Sequence, residues 1–293
     1  MIPIQRFADP TRAVRAAGCE TGTLPGGHPY VRAGSKPRSL VVLPGFGDAM
    51  FSGDYPPFSG WALASYFARY LRTHEIYLLS RPRKLPPGYG PADAVETHAR
   101  ALEAIVDAGG TIDVIGISMG GLIGQALARR RPDLVDRLVL ANSAARLDDG
   151  ARPAIRRFER YARERDWAAI RADLAAAMFA DGRAVAYPLA ARTVGRFLQA
   201  RPAEPADVSR SLAFVRRFDG RDELADVERP TLVFGGERDP YFTAERTRET
   251  AEALPRGELE LVPGAKHGAF HERKATFDSS VRSFFERSTA PGE

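Results

Sequence analysis

The stretch that decides the fold is residues 113–131, DVIGISMGGLIGQALARRR. It begins with the apolar run Asp113–Ile117, which is typical of a buried strand, and it continues from Leu122 with apolar residues at helical spacing. Ser118 lies between the two, with a glycine two residues before it and another two residues after it. This G-x-S-x-G pattern between a strand and a helix is typical of a sharp turn that exposes a nucleophilic serine. The glycines leave space where side chains would collide.

Apolar runs alternate with helix-period segments along the rest of the chain. The predicted strands are Ser39–Leu43, Glu75–Leu79, Asp113–Ile117, Arg137–Ala141, Thr231–Phe234 and Leu259–Val262. The predicted helices between them are Trp61–Leu71, Ala92–Asp107, Met119–Arg131, Ala244–Leu254 and Phe270–Phe285. Continuous apolar strands that alternate with helices predict an α/β fold with a mostly parallel central sheet flanked by helices. Glycine-marked turns in the first forty residues predict an additional antiparallel hairpin at one sheet edge.

One region, residues 145–225, contains no strand candidate. Four amphipathic helices are predicted there, at Pro153–Arg165, Trp167–Met178, Tyr187–Gln199 and Ala206–Phe218. An all-helical insertion at this place in the chain predicts a cap over the carboxyl edge of the sheet. We therefore expect a core of residues 1–144 and 226–293 and a helical cap of residues 145–225.

Composition excludes several classes of protein. The single cysteine, Cys19, excludes an internal disulfide. No basic segment followed by an apolar one opens the chain, and no apolar run approaches the ~20 residues of a membrane helix, so we expect a cytoplasmic protein without membrane contact. The net charge of +5 comes almost entirely from arginine. No arginine-rich block is interleaved with aromatic residues as in nucleic-acid binders, so no nucleic-acid partner is expected.

A serine hydroxyl needs a base, and the base needs an acid that orients it. In an α/β sheet these groups should follow strands in the order serine, acid, histidine. Asp239 follows the strand Thr231–Phe234, and His267 follows the strand Leu259–Val262. The sequence therefore predicts Asp239 as the acid and His267 as the base. Two reserve candidates for the acid are Glu237 and Asp148.

Two backbone N–H groups are candidates for stabilising a developing oxyanion. Met119 follows the serine at a helix N-terminus, where the helix dipole favours negative charge. Phe46 lies in the turn after the first core strand, Leu43-Pro44-Gly45-Phe46-Gly47-Asp48. We therefore predict an oxyanion hole formed by the N–H groups of Met119 and Phe46.

Taken together, these motifs resemble those of the α/β-hydrolases that carry a cap. The resemblance rests on Pro44–Gly47, Gly116–Gly121, Gly235–Asp239 and Gly264–Gly268, which span nearly the whole chain outside the insertion. It implies an α/β-hydrolase fold, a Ser118-Asp239-His267 triad and acyl transfer to water, with no cofactor and no metal. The oxyanion turn departs from the common His-Gly start of the family, because Pro44 stands at its first position.

We therefore predict a serine hydrolase that cleaves a small carboxylic ester, lactone or thioester through an acyl-enzyme on Ser118. Arg81, Trp167 and Tyr187 are the candidate substrate-binding residues, since a guanidinium could meet a substrate carboxylate and cap aromatics could line the cavity. The expected partner is a small acyl substrate, and the expected assembly is a monomer or a homodimer. The alternatives are a C–C bond hydrolase, or an amide hydrolase or aminopeptidase, on the same triad, and a ligand-binding protein without turnover.

Overall fold

The computed structural model describes residues 18–56, 58–106, 110–193 and 201–287. Eight strands of this part of the chain form one sheet in the order β1-β2-β4-β3-β5-β6-β7-β8. The strands are β1 Cys19–Leu24, β2 His28–Ala33, β3 Arg38–Leu43, β4 His74–Leu79, β5 Ile112–Ile117, β6 Val135–Ala141, β7 Thr231–Gly236 and β8 Gly257–Val262. The pairs from β4 to β8 are parallel. The predicted mostly parallel α/β fold is therefore confirmed.

Ten α-helices and three short 3₁₀ helices occur among the described residues. The α-helices are α1 Ser59–Tyr66, α2 Pro91–Ile105, α3 Met119–Arg130, α4 Arg152–Glu164, α5 Trp167–Met178, α6 Arg183–Arg192, α7 Pro205–Arg217, α8 Ala244–Ala253, α9 Ala269–Glu272 and α10 Lys274–Arg287. The 3₁₀ helices are Phe46–Met50, Asp149–Ala151 and Arg221–Asp226. The C-terminal helix predicted over Phe270–Phe285 is two helices, α9 and α10, which are separated at Arg273. No described helix has the length and apolar character needed to cross a bilayer.

The central strands are buried over most of their length because helices cover both faces of the sheet. Every residue of β7 is buried, whereas the edge strand β8 is mostly half-exposed. At the other edge, β1 and β2 form the predicted antiparallel hairpin, with Leu24 opposite His28. Its turn requires glycine, because Gly26 and Gly27 have φ angles of 84° and 79°, in the left-handed region.

Residues between β6 and β7 are mainly helical, as the sequence predicts. α4, α5, α6 and α7 lie in this segment, and its described residues also contain an isolated antiparallel bridge between Arg146 and Asp219. The helix predicted over Tyr187–Gln199 is observed as α6, Arg183–Arg192, and the end of that prediction lies outside the described residues. The division into a core of residues 1–144 and 226–293 and a cap of residues 145–225 stays a prediction.

Two histidines, His28 at the start of β2 and His98 in α2, are buried together. The rings of His28 and His98 meet edge to face, with centroids 4.3 Å apart. His28 Nδ1 donates to the carbonyl of Ser80 at 2.9 Å, and His98 Nδ1 donates to a carbonyl one turn back in α2. Burial lowers the pKa of His28 to about 4, although the nearby charge of Asp48 opposes the shift. Burial also lowers the pKa of His98.

This pair predicts an acid-sensitive fold. The folded state binds fewer protons than the unfolded state, so stability falls as the pH drops from the ordinary histidine pKa of 6.5 towards the His28 value of about 4. Lowering the pH from about 8 to about 5 should cost about 2 kcal/mol of unfolding free energy through His28 alone. Urea denaturation at a series of pH values measures this dependence. The control is His28→Asn, which keeps an N–H donor for Ser80 but does not titrate; an equally steep loss in both proteins would contradict the assignment.

Candidate active site

Ser118 occupies a strained turn between β5 and α3. Its φ of 53° and ψ of −116° are rare for a residue with a side chain. A Cβ atom at Gly116 would lie 2.5 Å from the carbonyl oxygen of Gly120, and one at Gly120 would collide with the carbonyl of Leu43. Both glycines of the G-x-S-x-G pattern are therefore required by backbone packing. The turn holds the serine at the carboxyl end of β5.

The structure brings Ser118, His267 and Asp239 into one hydrogen-bonded chain. His267 Nε2 lies 3.0 Å from Ser118 Oγ, and His267 Nδ1 lies 2.8 Å from Asp239 Oδ2. The other carboxylate oxygen of Asp239 accepts hydrogen bonds from the N–H groups of Tyr241 and Phe242, at 2.8 and 3.1 Å. The rings of the same two residues pack on the imidazole, at centroid distances of 4.8 and 5.9 Å. Carboxylate, imidazole and hydroxyl are thus aligned for proton transfer from Ser118.

The two reserve acids lie elsewhere. Glu237 accepts a hydrogen bond from the N–H of Gly264 on the exposed side of its turn. Asp148 accepts from the hydroxyl of Thr243 at 3.1 Å. The geometry therefore favours Asp239 as the partner of His267.

Asn142, which no sequence motif indicates, is hydrogen-bonded to the carboxylate of Asp239. It follows β6, is buried, and donates from Nδ2 to Asp239 Oδ2 at 3.1 Å and to the Lys266 carbonyl at 3.2 Å. Its Oδ1 accepts from the N–H of Phe270 at 3.2 Å. A φ of 48°, which asparagine tolerates better than most residues, aims the side chain across the ends of β6 and β7. A polar residue after the strand next to β7 is the sequence signal that could have found it.

The histidine loop is attached to the predicted cap through backbone groups. The N–H of His267 donates to the carbonyl of Ala177 at 3.2 Å, and the N–H of Gly268 donates to the carbonyl of Met178 at 2.9 Å. These carbonyls belong to the last turn of α5, where carbonyls receive no hydrogen bond from within the helix. The loop thus caps α5 while it presents the imidazole to Ser118.

The two predicted oxyanion donors border the serine. Met119 is the first residue of α3, and Phe46 is the first residue of the 3₁₀ helix Phe46–Met50, so neither position has an intrahelical acceptor for its N–H. A Cβ atom at Gly45 would lie 3.3 Å from Ser118 Cβ, which places the oxyanion turn directly against the serine. The role of these N–H groups stays a prediction.

A small cavity of about 30 Å³ adjoins Ser118. The described residues that line it are Phe46, Ser118, Leu147, Ile155, Phe158, Leu174, Leu212, Val215, Tyr241, Phe242 and His267. Apart from Ser118 and His267, these side chains are aliphatic or aromatic. Most of them are buried, and several come from the helices between β6 and β7. The space next to the serine is therefore suited to an apolar group.

The three candidate substrate-binding residues lie away from this cavity. Arg81 is buried behind the oxyanion turn, where its guanidinium binds backbone carbonyls. Trp167 begins α5, about 10 Å along the helix axis from Leu174, and lines a separate cavity of about 810 Å³. Tyr187 is 48% exposed and packs edge-on against Phe179. The prediction that Arg81, Trp167 and Tyr187 contact substrate beside Ser118 is therefore not supported by their positions.

Comparison with known proteins identifies the family. Residues 40–278 match the model of the Alpha/beta hydrolase family, and the chain belongs to that family. It is accordingly an enzyme of the hydrolase class. The predicted resemblance is thereby confirmed.

Individual relatives are more distant. The chain is 25% identical over 282 residues to polyketide synthase ThaQ of Burkholderia thailandensis. This alignment covers 92% of the chain but only 13% of that much longer protein. It is 27% identical over 256 residues to the pimeloyl-[acyl-carrier protein] methyl ester esterase of Nitrosomonas europaea, with 79% of the chain and 89% of the relative covered. The enol-lactonase structure from Burkholderia xenovorans shares the fold, with a TM-score of 0.72, 21% identity, and coverage of 91% and 100%.

The packing of the turn predicts the effect of a methyl group. Gly120→Ala should destabilise the protein by about 1–3 kcal/mol, because the new Cβ would overlap the Leu43 carbonyl and push α3 away from β3. The control is Gly182→Ala, where a Cβ meets nothing within 4 Å and the cost should stay under about 1 kcal/mol. Thermal unfolding of both variants measures the difference. Equal stability of the two variants would contradict the close approach of β3 and α3.

Proposed function

We propose that this chain is a serine hydrolase that cleaves a small ester, lactone or thioester through an acyl-enzyme on Ser118. The observation that carries the proposal is the hydrogen-bonded chain from Ser118 Oγ through His267 to Asp239. The strained backbone of Ser118 supports it as well, because such strain is typically kept where a nucleophile must project from the sheet.

In the proposed reaction, Ser118 Oγ attacks the acyl carbonyl carbon while His267 Nε2 takes the hydroxyl proton. His267 then gives this proton to the leaving alcohol or thiol, and the acyl group stays on Ser118. A water molecule attacks the acyl-enzyme with His267 again as the base. The carboxylic acid leaves, and the proton returns to Ser118. Asp239 holds the tautomer with a proton on Nδ1 and stabilises the imidazolium that forms at each step.

The N–H groups of Met119 and Phe46 are proposed to stabilise the oxyanion of the tetrahedral intermediate. The positive end of the α3 dipole lies at Met119, and it favours the negative charge at this point. Removal of one oxyanion donor typically lowers turnover ~100- to 1000-fold. This contribution is one of electrostatic preorganisation, because the donors are fixed by the backbone before substrate binds.

The lining of the cavity supports an apolar acyl group as the substrate class. No charged side chain occurs among the described residues that line it, so an acyl chain with a second carboxylate or an ammonium would enter without a counter-charge. The name of one relative, a methyl ester esterase, supports ester hydrolysis.

The first test is the removal of the nucleophile. Ser118→Ala should lower kcat for p-nitrophenyl acetate or butyrate by at least ~10⁴-fold, since it removes the hydroxyl proposed to form the acyl-enzyme. A fluorophosphonate probe should label the wild type at Ser118 and leave the variant unlabelled. Ser211→Ala, which removes another buried serine hydroxyl, serves as the control and should keep both activity and labelling. Undiminished turnover in Ser118→Ala would refute the proposal.

The second test concerns the acyl group. Leu174→Ala should enlarge the cavity and raise the ratio of kcat/KM for the octanoate over the acetate p-nitrophenyl ester by roughly 10-fold. Leu189→Ala is the matched control, because Leu189 is 63% exposed on α6 and should leave the ratio unchanged. An unchanged ratio in Leu174→Ala would mean that the acyl chain binds elsewhere.

A further inference from the structure

Arg81 is buried as deeply as the core, at 1% exposure, yet it carries a full charge and contacts the turn that borders Ser118. We propose that Arg81 is a positioning residue: its guanidinium, paired with Asp48, binds the outer face of the oxyanion turn and thereby aims the N–H of Phe46 at the substrate oxygen. This inference rests on the proposed function, since it gives the oxyanion hole a source of rigidity.

The guanidinium binds three successive carbonyls of the turn. Nη1 donates to the carbonyl of Pro44 at 3.1 Å and to that of Gly45 at 3.2 Å. Nη2 donates to the carbonyl of Gly45 at 3.2 Å and to that of Phe46 at 3.4 Å. A planar fork of N–H groups can span this row, whereas the compact ammonium of a lysine presents one point of charge.

The direction of the Phe46 N–H follows from peptide geometry. The described residues contain no cis peptide bond, and in a trans peptide the carbonyl of one residue and the N–H of the next point in opposite directions. Because the Gly45 carbonyl faces Arg81, the Phe46 N–H faces away from it. Ser118 adjoins the turn, since the Gly45 Cβ position is 3.3 Å from Ser118 Cβ and the Phe46 ring lines the same cavity as Ser118, and the proposal places it on that far side.

Asp48 fixes Arg81 from within the same turn. Its Oδ2 accepts from the Arg81 N–H at 3.1 Å and lies 3.6 Å from the guanidinium, and its Oδ1 accepts from the Ser80 hydroxyl at 2.6 Å. Burial disfavours a charge on Asp48, but the charges of Arg81 and Arg83 outweigh it and lower the pKa of the carboxyl. The turn is thus tied to the end of β4 through a buried ion pair as well as through its carbonyls.

The same contacts also strengthen the donor. A cation that binds the Gly45 carbonyl polarises that peptide group, which makes the N–H at its other end a better hydrogen-bond donor. Arg81 is shielded from water, so its field is not screened by solvent. The proposed effect therefore appears in the transition state, where the oxyanion forms, more than in substrate binding.

The principal test is Arg81→Lys, with Arg81→Met and Asp48→Asn as further variants. We expect kcat for p-nitrophenyl butyrate to fall ~10- to 1000-fold while KM changes by less than about 3-fold, because the loss affects the oxyanion and not the acyl group. The matched control is Arg137→Met. Arg137 is equally buried and pairs with Asp113. It lies near the start of β6, at the amino ends of the parallel strands, whereas Ser118 lies at their carboxyl ends. Its loss should therefore lower stability and leave kcat unchanged.

A second readout separates positioning from a general structural role. Butyl trifluoromethyl ketone forms an adduct with an oxyanion, whereas the corresponding secondary alcohol does not. In the Arg81 and Asp48 variants the inhibition constant of the ketone should rise in proportion to the loss of kcat/KM, and that of the alcohol should stay constant. An equal weakening of both inhibitors, or a kcat equal to that of Arg137→Met, would overturn the inference. If an Arg81 variant does not fold, Asp48→Asn gives the same comparison.

The test also distinguishes this inference from the proposed function. If Ser118→Ala keeps its activity, the hydrolytic mechanism itself is wrong. If Ser118→Ala is inactive but Arg81→Lys and Asp48→Asn keep wild-type kcat and ketone inhibition, the mechanism stands and only the positioning role is refuted.

Discussion

The rest of the structure depends on the close approach of three backbone segments at Ser118. Three backbone segments meet here: the end of β3, the end of β5 and the start of α3. They approach so closely that Gly116 and Gly120 have no room for a Cβ atom. This packing forces a left-handed φ on the serine and directs its hydroxyl away from the sheet. The same approach carries the oxyanion turn, which continues from β3, to the side of the serine. One steric constraint thus fixes the positions of both the proposed nucleophile and the proposed oxyanion donors.

Much of the fold could be predicted because the strongest signals in this chain are local. The buried strands are short apolar runs, and the glycines and prolines that follow them mark the carboxyl edge of the sheet. Ser118, Asp239 and His267 each follow such a strand, so their meeting required only that β5, β7 and β8 be parallel and lie close together in the sheet, where β6 alone separates β5 from β7. The split between α9 and α10 was missed because the apolar spacing continues through Arg273.

Side-chain direction is what the sequence could not supply. Arg81 follows β4 in a loop rich in proline and arginine, and nothing local distinguishes a guanidinium that faces substrate from one that faces the neighbouring turn. Asn142 reads as an ordinary turn residue, and its role depends on Asp239, which lies 97 residues away along the chain. Trp167 and Tyr187 are candidates because they are aromatic residues of the predicted cap, but their positions depend on how helices pack, which periodicity alone does not determine.

The attachment of the histidine loop to α5 has a consequence for how such enzymes diversify. The contacts of His267 and Gly268 with α5 are made by main-chain groups, so they specify no side chain on the helix. Leu174, on the same helix, lines the cavity beside Ser118. A substitution at Leu174 can therefore change the cavity without removing the main-chain bonds that hold His267, so the proposed acyl pocket and the proposed base can vary independently.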